Sequence, residues 1–493
     1  MVDHRSPDAQ AGPRMLARIR HRGPDDRGDT VAGETFLGHA RLSIVDVRGG
    51  HQPIGDGGWW MVGNGEVYNH ASLRAELGEP RFMTDSDNEV ALHAVATWGP
   101  QGLERLRGMF AFVVAGDRGG LVAARDPLGI KPLYWVRDGE RVIFASELRA
   151  FDPGVRNAVE AFPPGHWWQS GGEPVAFADL DEPVGAFSTR AEARDGVREA
   201  LVTAVERRMM ADVGVGVFLS GGLDSSIIAA VAARSAAADG RVVQSFAVGT
   251  PGSPDLVAAK VVAEALGLDH HERVYPAAEA VAAVDPVVEA MESYEPSLVR
   301  SAVPNWFVAE LAAQHVKVVL TGEGADELFA GYDYLRRYTN HDELDAELLR
   351  SVNGLHNLNL QRCDRVTMAH GLEARVPFLD LDVIRAARRV PPEWKLPGDA
   401  GQEKRLLREA FDGWVPDEVL WREKAQFGDG SGAAEAITER VAARMADVFE
   451  QGETALDGLP AARTAEELAY QHAFVKVLAG IPAERVLGRF ATA

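Results

Sequence analysis

The chain has 493 residues, 46% of them apolar, which is enough for a sizeable core and, as a prior, roughly two to four domains. Lys and Arg number 51 against 73 Asp and Glu, a net charge of −22 that argues against a protein built to hold nucleic-acid phosphates. The one cysteine, Cys363, excludes an internal disulfide framework and any multi-cysteine zinc site. The start, MVDHRSPDAQ, lacks the apolar core of a signal peptide, and no run of about 18 apolar residues occurs, so the expected address is the cytoplasm with no membrane partner.

Residues 1–185 read as short strands and turns with few helices. Arg20 to Asp26 is a polar turn closing a helix-like stretch. Phe36 to Val47 alternates as a strand pair, and Asn64 to Asn69 is a turn between apolar segments. Phe110–Ala115, Gly120–Ala124, Leu133–Val136 and Val142–Ala145 are further strand candidates, which together predict a layered α+β sandwich.

Residues 170–190 are polar and punctuated by Gly and Pro, so the domain boundary is expected there, with a second domain over 190–493. Helical spacing resumes at Ala191–Met210, with Val197, Leu201, Ala204 and Val205 on one face. Apolar runs at Val213–Leu219, Val242–Val248, His270–Tyr275 and Val316–Leu320 alternate with helical stretches. That pattern predicts an α/β fold with a doubly wound parallel sheet, whose ligands bind at the carboxyl ends of the strands.

Two loops leave that edge. The first, Ser220-Gly221-Gly222-Leu223-Asp224-Ser225-Ser226, joins an apolar strand to a helix start. Free backbone N–H groups and the positive helix end point at one spot there, and the glycines allow a phosphate close to the backbone. The pattern GxxxxGK[ST] is absent. Ser220, Ser225 and Ser226 can donate hydroxyl hydrogen bonds, and Asp224 beside phosphates makes sense with a Mg²⁺ between them. The second loop, Thr321-Gly322-Glu323-Gly324-Ala325-Asp326-Glu327, places three carboxylates at the end of a central strand. Asp326 and Asp224 can then share one Mg²⁺, and Lys404 is the candidate to neutralise charge at phosphorus.

The first loop resembles the pyrophosphate loop of the ATP-pyrophosphatase superfamily, and the wider set of motifs resembles the asparagine synthetase family. In the N-terminal third the matches are RHRGPD (20–25), RLSIVD (41–46), NGEVYNH (64–70), SDNEV (86–90) and RDPLGIKPLY (125–134), as in class II glutamine amidotransferase domains. In the remainder they are SGGLDSS, SFAVGTPGSPDL (245–256), TGEGADELFAGY (321–332), HGLEARVPFLD (370–380), EKRLLREAF (403–411) and REKAQFGDGSG (422–432). The resemblance implies a glutamine pocket of Arg41, Asn64, Gly65, Glu66 and Asp87. It implies an ATP site with Leu219, Val248, Thr321 and Gly322 beside the nucleotide, Mg²⁺ and pyrophosphate on Asp224 and Asp326, Glu323 beside an acyl-adenylate, and Lys404 at the α-phosphate.

The family's N-terminal nucleophile is a cysteine after the initiator methionine, and here position 2 is Val2. Two readings stand: a scaffold without hydrolytic function, as in β-lactam synthetases, or an upstream Cys-bearing strand before Met1. Retention of all five pocket residues favours the second. Either way, the sequence as given is expected to hydrolyse glutamine poorly, and Cys363, far away on a probable helix, is not expected to replace the nucleophile.

The resemblance implies adenylation of the aspartate side chain, then attack by ammonia. It places the amino-acid site at Ser297–Pro304, with Ser297 and Arg300 binding the substrate carboxylate. Ala302 and Val303 stand where hydroxyls are usual, which keeps open a ligase or cyclase acting on another amino-acid carboxylate. A non-catalytic nucleotide- or glutamine-binding protein is the alternative from another class. The expected partners are small molecules (ATP, aspartate or another amino acid, ammonia or glutamine), with a homodimer as the assembly to test. The last sixty residues read as a helical cover, and Phe427-Gly428-Asp429-Gly430 as a glycine-rich lid.

Overall fold

The computed structural model describes residues 1–182, 184–397, 401–422 and 432–490. The N-terminal part holds two antiparallel sheets of six strands. The first runs in the order Glu160–Ala161, Tyr134–Asp138, Arg141–Ala145, Val2–His4, Thr35–Arg41, Asp26–Ala32. The second runs Val175–Ala176, His166–Gln169, Leu121–Arg125, Gly108–Gly116, Trp59–Val67, Ile54–Asp56. Alternating apolar side chains from both sheets, among them Val2, Leu37, Val113, Trp135, Phe144 and Trp168, meet in a shared core. Helices Leu73 and Val90 belong to, His70–Leu77 and Glu89–Trp98, pack over the far face of the second sheet against Phe110 and Phe112. This is the expected layered α+β sandwich.

Two local expectations fail. Asn64–Asn69 is not a turn throughout: Asn64 to Val67 continue strand Trp59–Val67, paired with Gly108–Gly116, and the chain turns only at Tyr68 and Asn69. Phe36–Val47 is not a strand pair: only Thr35–Arg41 is extended there, and its partners are the upstream strands Val2–His4 and Asp26–Ala32. Arg41 ends the strand by turning the chain, since its Nη2 donates to Val45 O at 3.1 Å and to Asp46 O at 2.7 Å while Asp46 takes φ 50°.

Helix Arg190–Arg208 opens the second part, capped by Thr189. Five strands form one wholly parallel sheet in the order Asp269–Val274, Gln244–Gly249, Val215–Phe218, Val318–Leu320, Glu373–Arg375. The chain winds outward from Val215–Phe218 in one direction, then returns to continue on its other side from Val318–Leu320. The reversal opens a crevice beyond the carboxyl ends of those two strands. Helix Leu223–Ala238 is apolar nearly all round and is buried against the sheet and the helix Arg190–Arg208. Ala434–Ala442 and Ala465–Leu478 supply the expected C-terminal cover. Among the described residues no helix is long and apolar enough to cross a membrane.

Candidate active site

The two chemical loops meet at that crevice. Gly221 takes φ 69°, and a Cβ there would lie 2.5 Å from Ala258 Cβ and from Ala259 N, so this turn closes only on glycine. The Ser220 N–H donates to Ser225 Oγ at 3.3 Å, and the Gly222 N–H donates to Ser220 Oγ at 3.3 Å, which holds the turn above an uncapped helix start. Ser226 is buried and gives its hydroxyl to Gly222 O at 2.7 Å, so it shapes the helix start. Leu219 and Val248 are buried at the ends of adjacent strands, joined where the Leu219 N–H donates to Phe246 O at 2.9 Å.

On the second loop, the Thr321 N–H donates to Arg375 O at 2.9 Å. A Cβ on Gly322 would lie 2.9 Å from Asp224 Cβ, so glycine brings the loops into contact. Lys404 stands between them. Its Nζ lies 2.8 and 2.6 Å from the two Asp224 oxygens and 2.6 Å from Asp326 Oδ1. Burial pulls this ammonium toward the neutral form, but the two carboxylates outweigh it and hold its pKa above the ordinary lysine value. Lys404 takes φ 55° immediately before helix Arg405–Ala410. Gly331 makes room for the cluster, because a Cβ there would sit 1.9 Å from Asp326 Oδ1 and 2.3 Å from Lys404 Cε.

Two carboxylates converging on one cationic atom are hard oxygen donors that suit Mg²⁺. Among the described residues no cluster of three or more His, Cys, Asp or Glu is arranged to hold a metal. Asp224 and Asp326 are the two residues here that would hold a divalent ion.

Glu323 pairs with Arg362 Nη2. Burial and the nearby Asp326 and Asp224 push the Glu323 carboxyl up, and Arg362 opposes them. Arg362 rides on helix Asn359–Met368. Its neighbour Cys363 is buried, and burial pushes that thiol up to about 12, which leaves it protonated near neutral pH. Asp364 and Arg365 on the same helix reach the junction of the two parts. There Arg22 binds Asp364 at 2.8 Å and Glu147 at 2.9 Å, Lys131 binds Glu373 at 3.1 Å, and Arg375 lies 3.3 Å from Glu66.

A second pocket, a cavity of about 90 Å³, lies in the N-terminal part and is lined by Arg41, Asn64, Gly65, Glu66 and Asp87, with Met368 and Glu373 from the second part. All five expected pocket residues are thus together. Gly65 takes φ 129°, and a Cβ would lie 1.9 Å from Met109 O. Among the described residues Asn64 Nδ2 is a buried donor without a hydrogen-bond partner, as suits a group that meets a ligand oxygen. Asp87 accepts from the Val67 N–H at 2.6 Å, and burial pushes its carboxyl up to about 6. Burial and Asp87 push Glu66 well up, against Arg375. Arg41 Nη2 is engaged by Val45 O and Asp46 O, so much of its fork braces the adjoining loop. Met1 also lines the cavity, and no cysteine does.

A family model described as asparagine synthase matches residues 196–480, and one described as a glutamine amidotransferase domain matches residues 1–167. The chain is 39% identical over 473 residues to a probable asparagine synthetase (glutamine-hydrolyzing) of Schizosaccharomyces pombe, covering 87% of this chain and 84% of that one. It is 39% identical over 463 residues to asparagine synthetase B (glutamine-hydrolyzing) of Escherichia coli, covering 89% and 83%. With the enzyme of Asparagus officinalis it shares 39% over 466 residues, covering 88% and 78%. The chain belongs to the asparagine synthetase family.

In this asparagine synthetase family chain, the residues expected at the amino-acid site lie on helix Pro296–Ala312. Arg300 does not stand alone: its Nε and Nη2 donate to Glu466 at 3.0 and 2.8 Å. Ala302 and Val303 are buried in the core. Ser297 lies one turn before Ser301 on helix Pro296–Ala312, and the Ser301 hydroxyl donates to Ser297 O at 3.0 Å.

Sequence reasoning missed Arg362, Gly331 and Glu466. Gly331 carried a signal, since it belongs to the TGEGADELFAGY motif. Arg362 and Glu466 did not, because their partners lie 39 and 166 residues away. The expected lid Phe427–Gly430 lies outside the described residues. Arg422, just before it, places Nη2 3.3 Å from Asp255 Oδ1.

Proposed function

We propose that this chain is an ATP-dependent ligase that adenylates the side-chain carboxylate of aspartate and passes ammonia to it, giving asparagine, AMP and pyrophosphate. The observation that carries this reading is Lys404 held between Asp224 and Asp326, with Asp224 in the first turn of the helix that follows the glycine-rich turn. The turn receives the phosphate chain, and its N–H groups and the helix end stabilise the leaving pyrophosphate. Asp224 and Asp326 would hold Mg²⁺, which supplies charge neutralisation on the phosphates when bound. Lys404 carries a fixed positive charge to the α-phosphorus as aspartate oxygen attacks it. Glu323, with its raised pKa, lies where it can orient ammonia and accept a proton as the amide forms.

Adenylation exchanges a poor leaving group, oxide, for AMP, so the second attack proceeds on an activated carbonyl. The five residues of the N-terminal cavity support binding of glutamine, and ammonia is the nucleophile that the ligation step itself takes up. The reading takes only small-molecule partners, a cytoplasmic address and a homodimer.

The test incubates the protein with ATP, Mg²⁺ and aspartate, with ammonium chloride or with glutamine, and follows AMP, pyrophosphate and asparagine. The expected outcome is stoichiometric AMP and asparagine with ammonium, and at most about a tenth of that rate with glutamine. Pyrophosphate release with another amino acid and none with aspartate would overturn the substrate assignment.

A further inference from the structure

Helix Pro296–Ala312 is the last helix before the strand Val318–Leu320, so it runs against the strands. Its first turns therefore lie toward the carboxyl edge of the sheet, the edge that bears Asp224 and Glu323. Arg300 sits near that end. A guanidinium offers two edges that can each grip a carboxylate, Nε with Nη2 and Nη1 with Nη2. Glu466 occupies the first edge, at 3.0 and 2.8 Å. Among the described residues Nη1 makes no hydrogen bond, and the Arg300 side chain keeps 26% of its surface exposed.

Glu466 is built to stay. It is buried, and its Oε1 accepts from Tyr470 Oη at 2.7 Å and Thr438 Oγ1 at 3.3 Å as well as from Arg300. The helix that carries it, Ala465–Leu478, is tied again to the start of helix Pro296–Ala312, where Arg463 Nη2 donates to Glu295 at 2.8 Å. A surface ion pair would not have this support.

We infer that Glu466 is a positioning residue for the amino-acid substrate. It fixes the Nε edge of Arg300, and Tyr470 and Thr438 fix Glu466, so that the Nη1 edge is presented to the substrate's α-carboxylate. Glu466 acts through Arg300 and does not touch the substrate. The inference rests on the ligase reading above.

Two variants test it. Glu466→Asp keeps the charge but is shorter by one carbon–carbon bond, about 1.5 Å, and draws the fork of Arg300 back. Tyr470→Phe removes one support of Glu466 at little risk to folding. The readout is amino-acid-dependent pyrophosphate release with separate titrations of amino acid and ATP, beside a thermal melt. In Glu466→Asp the KM for the amino acid rises about tenfold or more, while kcat and the KM for ATP stay within about twofold. In Tyr470→Phe the amino-acid KM rises about threefold, a graded effect. An unchanged amino-acid KM in both, or equal losses for both substrates, or a change in melting temperature alone, would overturn the inference. Wild-type protein that releases no pyrophosphate with any amino acid would sink the ligase reading and this inference with it. An active wild type with unaffected variants would sink this inference alone.

Discussion

Lys404 Nζ lies 2.6 Å from Asp326 Oδ1, and the same nitrogen reaches Asp224 at 2.6 Å. In the resting protein an ammonium therefore stands where two carboxylates from different loops converge, and a divalent ion arriving without nucleotide must compete with it. Lys404→Met removes that competitor and leaves two facing carboxylates without a counter-charge, a costly arrangement that a metal relieves. The variant should bind Mn²⁺ about tenfold more tightly than wild type without ATP, and Mn²⁺ should raise its melting temperature more. Pyrophosphate release should fall by about 10² or more, because the fixed charge at the α-phosphorus is gone. Titration of free Mn²⁺ by electron paramagnetic resonance checks the first point, and equal affinities would show that Lys404 and the metal do not share the site.

Gly331 is held to glycine by its neighbours. Its φ is not in the left-handed region, so the constraint is space alone: a Cβ would meet Asp326 Oδ1 at 1.9 Å and Lys404 Cε at 2.3 Å. Gly331→Ala should push Lys404 off the carboxylates and cut pyrophosphate release by about 10²-fold, since a displacement of about 1 Å in a positioned charge costs that much. The melting temperature should fall as well, because Gly331 is buried and the charges it would displace belong to a buried cluster. Near wild-type kinetics in Gly331→Ala would mean that the loop moves aside freely.

The catalytic loops were legible because their signals are local. Val215–Phe218 and Val318–Leu320 are apolar, end in glycine-rich polar loops, and belong to a strand–helix alternation that forces a common edge. The fifth strand, Glu373–Arg375, was not legible. It is three residues long and two of them are charged, and its burial depends on Lys131 and Glu66 from the N-terminal part. The turn that gives Arg41 its carbonyl partners was not legible either, because no periodicity encodes it. The helix face that Ala302 and Val303 occupy was not legible either, because the core they pack into is assembled from distant parts of the chain.

Burial lifts the Asp87 carboxyl to about 6, well above the ordinary value near about 4. Between those values the folded chain keeps a proton that the unfolded chain has lost. The stability linked to this residue is therefore full below pH ~4 and declines as pH rises through about 6. Asp87→Asn cannot ionise, so it should match wild type near pH 4.5 and melt higher at pH 7.5, by an amount on the order of 2 kcal/mol. The gain in stability should be accompanied by a loss of binding. An ionised Asp87 is expected to pair with the α-amine of glutamine, so added glutamine should stabilise wild type at pH 7.5, less so at pH 5, and the variant at neither. Thermal melts with and without glutamine at the two pH values check both halves. A difference between variant and wild type that stays flat from pH 4.5 to 7.5 would move the titration to Glu66, whose carboxyl is also pushed up by burial and faces Asp87 across the cavity.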